Sequence, residues 1–188
     1  MGGRPHGGSA ALSAMDTITF IRHATTQAHQ RLLATLDGLD DETVIWRPAP
    51  HANAIIEIAF HVARADDRLG RRRTGLGPEV WTRQGWARRF GMSEDAYQFL
   101  RSGGPVPQLA TIVEYLTAIH VDTQERLARL HPDDLERVPD PGRPGWTIAA
   151  CFRHMVTHKN NHHGQIDFIR GLRQPGWDLP PGTGVAQN

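Results

Sequence analysis

The sequence has 188 residues, 39% of them apolar, enough for one domain built on a single hydrophobic core. Its formal net charge of +1 supplies no global field toward nucleic acid or an anionic membrane surface, and no run approaches the roughly 20 apolar residues that a membrane span needs. Cys151 is the only cysteine, which excludes an internal disulfide and a thiolate zinc cluster. With no apolar leader in residues 1–14, the chain reads as cytoplasmic.

Residues 1–14 are Gly-rich and read as a disordered N-terminus, residues 15–173 as one helical domain, and residues 174–188 as a flexible Pro/Gly-rich tail. Within the domain the first helix is expected over about Asp16 to Leu39, where Ile18, Ile21, Ala24, Ala28, Leu32 and Leu36 recur every three or four residues and Gly38 signals a stop. A linker with Trp46, Pro48 and Pro50 leads to the second, about Asn53 to Leu69, with Asn53 as its cap. From Gly70 to Pro105 the periodicity breaks into Gly, Pro and Arg with Trp81, Trp86, Phe90, Tyr97 and Phe99, which reads as a long crossover carrying short helices. The third helix spans about Gln108 to Leu130 and stops at His131-Pro132. The fourth runs from about Thr147 to Leu172. No alternating strand pattern, internal repeat or Gly-rich phosphate loop is present, so the expected fold is all-α: a four-helix bundle with a long crossover between helices two and three.

Chemistry concentrates in the fourth helix. His154, His158 and His162 are spaced i, i+4, i+8 and fall within a strip about 80° wide. His158 and His162 lie on the side marked apolar by Ile148, Cys151, Met155, Ile166 and Ile169, so their imidazoles are expected to turn into the core. Two inward histidines at i, i+4 can present two neutral nitrogens to one cation; core histidines bonded to carbonyls or to one another are the alternative. His163 points about 100° away from His162 and is expected at the surface or rim. On the second helix, Glu57, His61, Arg64 and Arg68 form a polar strip that reads either as a solvated stripe or as the lining of an internal cleft, with periodicity favouring the former.

The run from Asn53 through His61 to Asp67, together with His158-Lys-Asn-Asn-His162-His-Gly-Gln165, resembles the paired signature of the DinB-like superfamily, and Val80-Trp81 through Trp86 to Phe90-Gly91 is also similar to many of its members. The resemblance covers about Asp16 to Leu172. It implies a four-helix bundle with a metal held by one histidine of helix two and two of helix four, here His61, His158 and His162. Gly164 and Gln165 match the usual Gly-Gln, whereas His163 stands where such members often carry Arg.

Three protein nitrogens leave coordination positions open, the arrangement of a catalytic site, and zinc and nickel both suit imidazole. By resemblance to metal-dependent S-transferases, the expected activity is transfer of a low-molecular-weight thiol to a small electrophilic substrate, with the metal binding the thiolate. A hydrolase using metal-activated water with Glu57 as base, or a non-catalytic metal-binding or interaction protein, are the competing readings. Glu57 is the candidate catalytic residue. His120 reads as a core histidine or a cavity wall, and Cys151 as packing. Seven arginines against three acids in the crossover suit an anionic substrate or an ordinary solvated loop. The expected partners are a small-molecule substrate and a second copy in a homodimer, with no nucleic acid and no membrane.

Overall fold

In the computed structural model, residues 15–96 and 105–185 are described; Tyr97, Phe99 and Arg101 of the crossover, and both termini, lie outside them. Helix α1 covers Thr17–Leu36, and the Asp16 carboxylate starts it by accepting from the Thr19 amide at 2.8 Å, which satisfies one of the orphan donors of the first turn. After a short α2 (Asp41–Ile45), α3 runs Ile55–Asp67. Its N-cap is Ala54 rather than Asn53. Alanine has no capping side chain, so the job falls to Glu57, whose Oε2 reaches back to the Ala54 amide at 2.6 Å.

The chain winds on from α3 without a break as a π-helix, Arg68–Arg73, followed by α4 (Val80–Arg83) and α5 (Trp86–Phe90). Helix α6 spans Leu109–Leu127, and after a 3₁₀ turn at Pro132–Glu136, α7 spans Ile148–Arg173. Thr147 caps α7 by accepting from the Ala150 amide at 3.1 Å. The four long helices pack in the cyclic order α1, α6, α3, α7, each touching two neighbours, and among the described residues no strand occurs. No helix among them is long and apolar enough to cross a membrane.

Two apolar clusters fill the bundle. The larger joins Leu32 and Leu36 of α1, Ile55 to Ala63 of α3, Ile112 to Ile119 of α6, and Ile166 and Ile169 of α7. The crossover contributes to it: Trp81, Trp86 and Phe90 are buried against Phe60 and Tyr115, with ring centroids 5.0 to 6.0 Å apart in tilted and edge-on arrangements favoured by the ring quadrupoles. The smaller cluster, Ile18, Leu69, Leu127, Leu135, Ile148, Phe152 and Met155, closes the other end.

Of the crossover arginines, Arg72, Arg83, Arg88 and Arg89 are exposed as a solvated loop requires, but Arg71 is not. Arg71 is 2% exposed and ion-paired to Asp122 of α6, which also binds Arg83 at 2.6 Å and Arg126 at 3.4 Å. Arg64 is likewise buried, against the solvated-stripe reading of α3: it donates to Tyr115 Oη and the Ala96 carbonyl, pairs with Glu79 at 2.9 Å, and lies 4.2 Å over the Trp81 ring. Asp67 fastens the crossover from below, accepting the Val80 and Trp81 amides at 2.8 Å and the Tyr115 hydroxyl at 2.5 Å. Of the expected tail, residues 174–185 are described; Trp177 stacks 3.4 Å from the Arg170 guanidinium, which also binds the Thr35 and Asp37 carbonyls at the end of α1.

Candidate metal centre

The inner stripe of α7 is Ile148, Phe152, Met155, Lys159, His163, Ile166 and Arg170, a three-and-four repeat in which two cations and a histidine replace apolar residues. His158 and His162 lie beside this stripe, on the edge facing α3, and are half-buried rather than turned into the core. His163, expected at the rim, is instead buried at 6% exposure. Lys159 reaches through the bundle to Asp66 of α3, 2.7 Å away, and both are buried. This ion pair ties α3 to α7, and Lys159 lies within one helical turn of His158 and His162.

His61, half-buried on α3, projects between His158 and His162. Its Nε2 lies 3.1 Å from His158 Nε2, and His162 Nε2 lies 3.2 Å from the same atom. Burial, then the neighbouring His162, lowers the His61 pKa; burial, then His162 and His61, lowers that of His158 to about 3. These two rings are therefore neutral at ordinary pH. Gln165 Oε1 sits 2.8 Å from His162 Nδ1 and can accept a hydrogen bond from it, which orients the ring with Nε2 toward the other two.

Three Nε2 atoms at these separations cannot satisfy one another. A neutral ring nitrogen holds one proton or one lone pair in its plane, so His158 Nε2 can complete a hydrogen bond with one neighbour and must oppose the other. A cation that accepts all three lone pairs removes the conflict. For imidazole nitrogens placed tetrahedrally about 2.05 Å from zinc, neighbouring nitrogens lie roughly 3.3 Å apart, close to the observed 3.1 and 3.2 Å. Among the described residues, these three side chains are the one group of histidine, cysteine or carboxylate atoms close enough together to hold a metal ion. The donor set fits.

Over residues 24–166 the sequence matches the profile of the DinB superfamily. The chain belongs to the DinB superfamily. A crystal structure of a conserved protein from Enterococcus faecalis superposes with a TM-score of 0.71 at 21% identity, covering 85% of this chain and 98% of that one, and shares its fold. No curated protein matched by sequence.

The remaining candidates lie apart from the three nitrogens. Glu57, one turn before His61, has both oxygens engaged, one by the Ala54 amide and one by Arg47 at 2.5 Å. Cys151 is fully buried, and burial raises its thiol pKa. His120 stacks face to face on His29 of α1, centroids 4.2 Å apart, deep between α1 and α6. His154 is exposed, its ring 5.8 Å from that of His158. Sequence reasoning did not single out Lys159, Asp66 or His29. Lys159 carried a signal, since it stands four residues after Met155 on the buried stripe.

Proposed function

We propose that His61, His158 and His162 hold one divalent metal ion, zinc or nickel, and that this DinB-superfamily protein transfers a low-molecular-weight thiol to a small electrophilic substrate. The approach of two Nε2 atoms, of His61 and His162, to within 3.1 and 3.2 Å of His158 Nε2 carries the reading. A bound divalent cation would supply a Lewis-acidic centre that favours a thiol's thiolate form at neutral pH.

The chain's own part is preorganisation. Burial keeps His61 and His158 neutral, Gln165 orients the His162 ring, and the buried Lys159–Asp66 pair holds α3 and α7 in register beside the three rings. His61 and His162 reach the same point from facing helices, and exposed His154 borders the approach from solvent. Three protein ligands leave room for a substrate atom. Hydrolysis with Glu57 as base has less support, because a helix cap and Arg47 already occupy that carboxylate.

Elemental analysis of the purified protein tests the site, and consumption of an electrophilic probe with and without added thiol tests the chemistry. His158→Ala and His61→Ala are expected to lose bound metal, and turnover is expected to require thiol. Stoichiometric metal in either variant removes the site assignment; turnover indifferent to thiol removes the transferase reading.

A further inference from the structure

Beside the three histidines, a cavity of about 250 Å³ opens between the end of α3, the π-helix and the start of α7. Arg68, Arg73 and Arg143 line it, together with Leu69, Trp146, His154 and His158. No carboxylate lines it. Arg68 lies 3.8 Å from Glu79, and Arg143, half-exposed, lies 3.6 Å from Asp140. Among the described residues no carboxylate pairs with Arg73. Trp146, His154 and His158 form a row of rings, with centroids 5.3 and 5.8 Å apart, leading from the cavity to the three nitrogens.

The backbone brings this basic wall about. In an α-helix, residues five apart point about 140° away from each other. In the i→i+5 turns of the π-helix they stack on one side, which puts Arg68 and Arg73 on the same wall while Arg71 between them turns inward to Asp122. Forked guanidinium donors match a carboxylate in bidentate geometry, and the flat Trp146 face beside them suits an apolar or planar remainder. The volume is below the roughly 300–1,000 Å³ of sites for drug-sized ligands, so it takes a small molecule or one end of a larger one.

We propose that this cavity is a carboxylate-binding subsite, taking a small organic anion whose charged end meets Arg73 and Arg143 and whose body lies on Trp146 next to His158. This deepens the metal-centre reading and rests on it for the role of the bound molecule, while the binding itself does not require metal.

Benzoate is a suitable probe, with benzamide as its neutral isostere and inorganic phosphate as the non-carboxylate anion, each titrated calorimetrically into the full chain as purified and after metal loading. Metal content is measured separately on every sample. Benzoate is expected to bind at least tenfold more tightly than benzamide, and more tightly than phosphate, with or without metal. Arg73→Ala is expected to weaken benzoate at least tenfold and to keep its bound metal; the more exposed Arg143→Ala guards against loss of fold and is expected to weaken it several-fold. The solvent-exposed Arg129→Ala is expected to change nothing. Equal binding of benzoate and benzamide overturns the proposal, as does stronger binding of phosphate. Benzoate binding that survives Arg73→Ala and Arg143→Ala but vanishes in His158→Ala also overturns it, because the anion is then held by the metal alone. A protein that binds no metal yet binds benzoate through these arginines refutes the metal centre and supports the subsite.

Discussion

Replacing Lys159 by Met removes the cation that, among the described residues, pairs with Asp66 in the interior between α3 and α7. Asp66 is 1% exposed and Lys159 4%, with 2.7 Å between Nζ and Oδ2, so neither group can turn to water when its partner is lost. Breaking such a buried pair from one side costs about 3–5 kcal/mol, whereas replacing both members with apolar residues is near neutral or stabilising. At roughly 2–4 °C per kcal/mol for a chain of this size, Lys159→Met is expected to lower Tm by about 6–20 °C, and Lys159→Met combined with Asp66→Val to recover most of that loss. The penalty also has a pH signature. Burial raises the Asp66 pKa despite Lys159, which lowers it, so removing Lys159 raises it further. A carboxyl whose folded pKa lies above its unfolded value binds more protons in the folded state; stability is present at low pH and lost as pH rises through the folded pKa. The Lys159→Met deficit is therefore expected to shrink between pH 8 and pH 5, measured by urea denaturation at each pH. A single variant costing under about 1 kcal/mol, or a double variant less stable than the single, refutes the account of a dry, mutually dependent pair.

Two further outcomes follow from other parts of the structure. Gln165→Ala leaves all three nitrogens in place but frees the His162 ring, so metal affinity by chelator competition is expected to fall about tenfold, the low end of the usual range because the contact is exposed; unchanged affinity would show that Gln165 does not orient the ligand. Burial lowers the pKa of His29 to about 2 and of His120 to about 4, with Lys159 adding to both. Each folded value lies below the unfolded value of about 6.5, so the unfolded chain binds more protons in that window: the contribution is present above about pH 6.5 and lost as pH falls toward 4 and below. The slope is roughly 1.4 kcal/mol per pH unit for each histidine, and replacing both by Gln is expected to flatten the acid limb of a denaturation series relative to the parent.

The bundle was legible because its four long helices repeat apolar residues every three or four positions, as Leu32, Leu36 and Ile112, Leu116, Ile119 do, and all of these are buried. The i, i+4 spacing of His158 and His162 carried the site for the same reason. Polar residues on buried stripes were not legible, since periodicity sends a charged residue to solvent unless its partner is known. Lys159 is explained only by Asp66, Arg71 only by Asp122 fifty-one residues later, and Arg64 only by Glu79 and Tyr115. The angle between His163 and His162 predicts a rim position, yet the buried stripe of α7 runs one residue further round than its apolar residues mark. Glu57 was judged by its face on α3; its position as the third residue of the helix, where a carboxylate reaches back to the first free amide, is what engages it.

The π-helix has a consequence for how this chain can vary in length. An i→i+5 turn holds one residue more than an α-turn, so the run from Arg68 to Arg73 is equivalent to an α-helix with an insertion. Deleting one residue between Arg68 and Arg73 would return the backbone to ordinary winding and leave the two four apart, about 40° from each other and still on one side. His61, upstream, and His158 and His162, on another helix, would keep their places. A single codon lost in this turn can thus turn the π-helix into an α-helix while both the basic lining of the neighbouring cavity and the three-histidine centre are inherited.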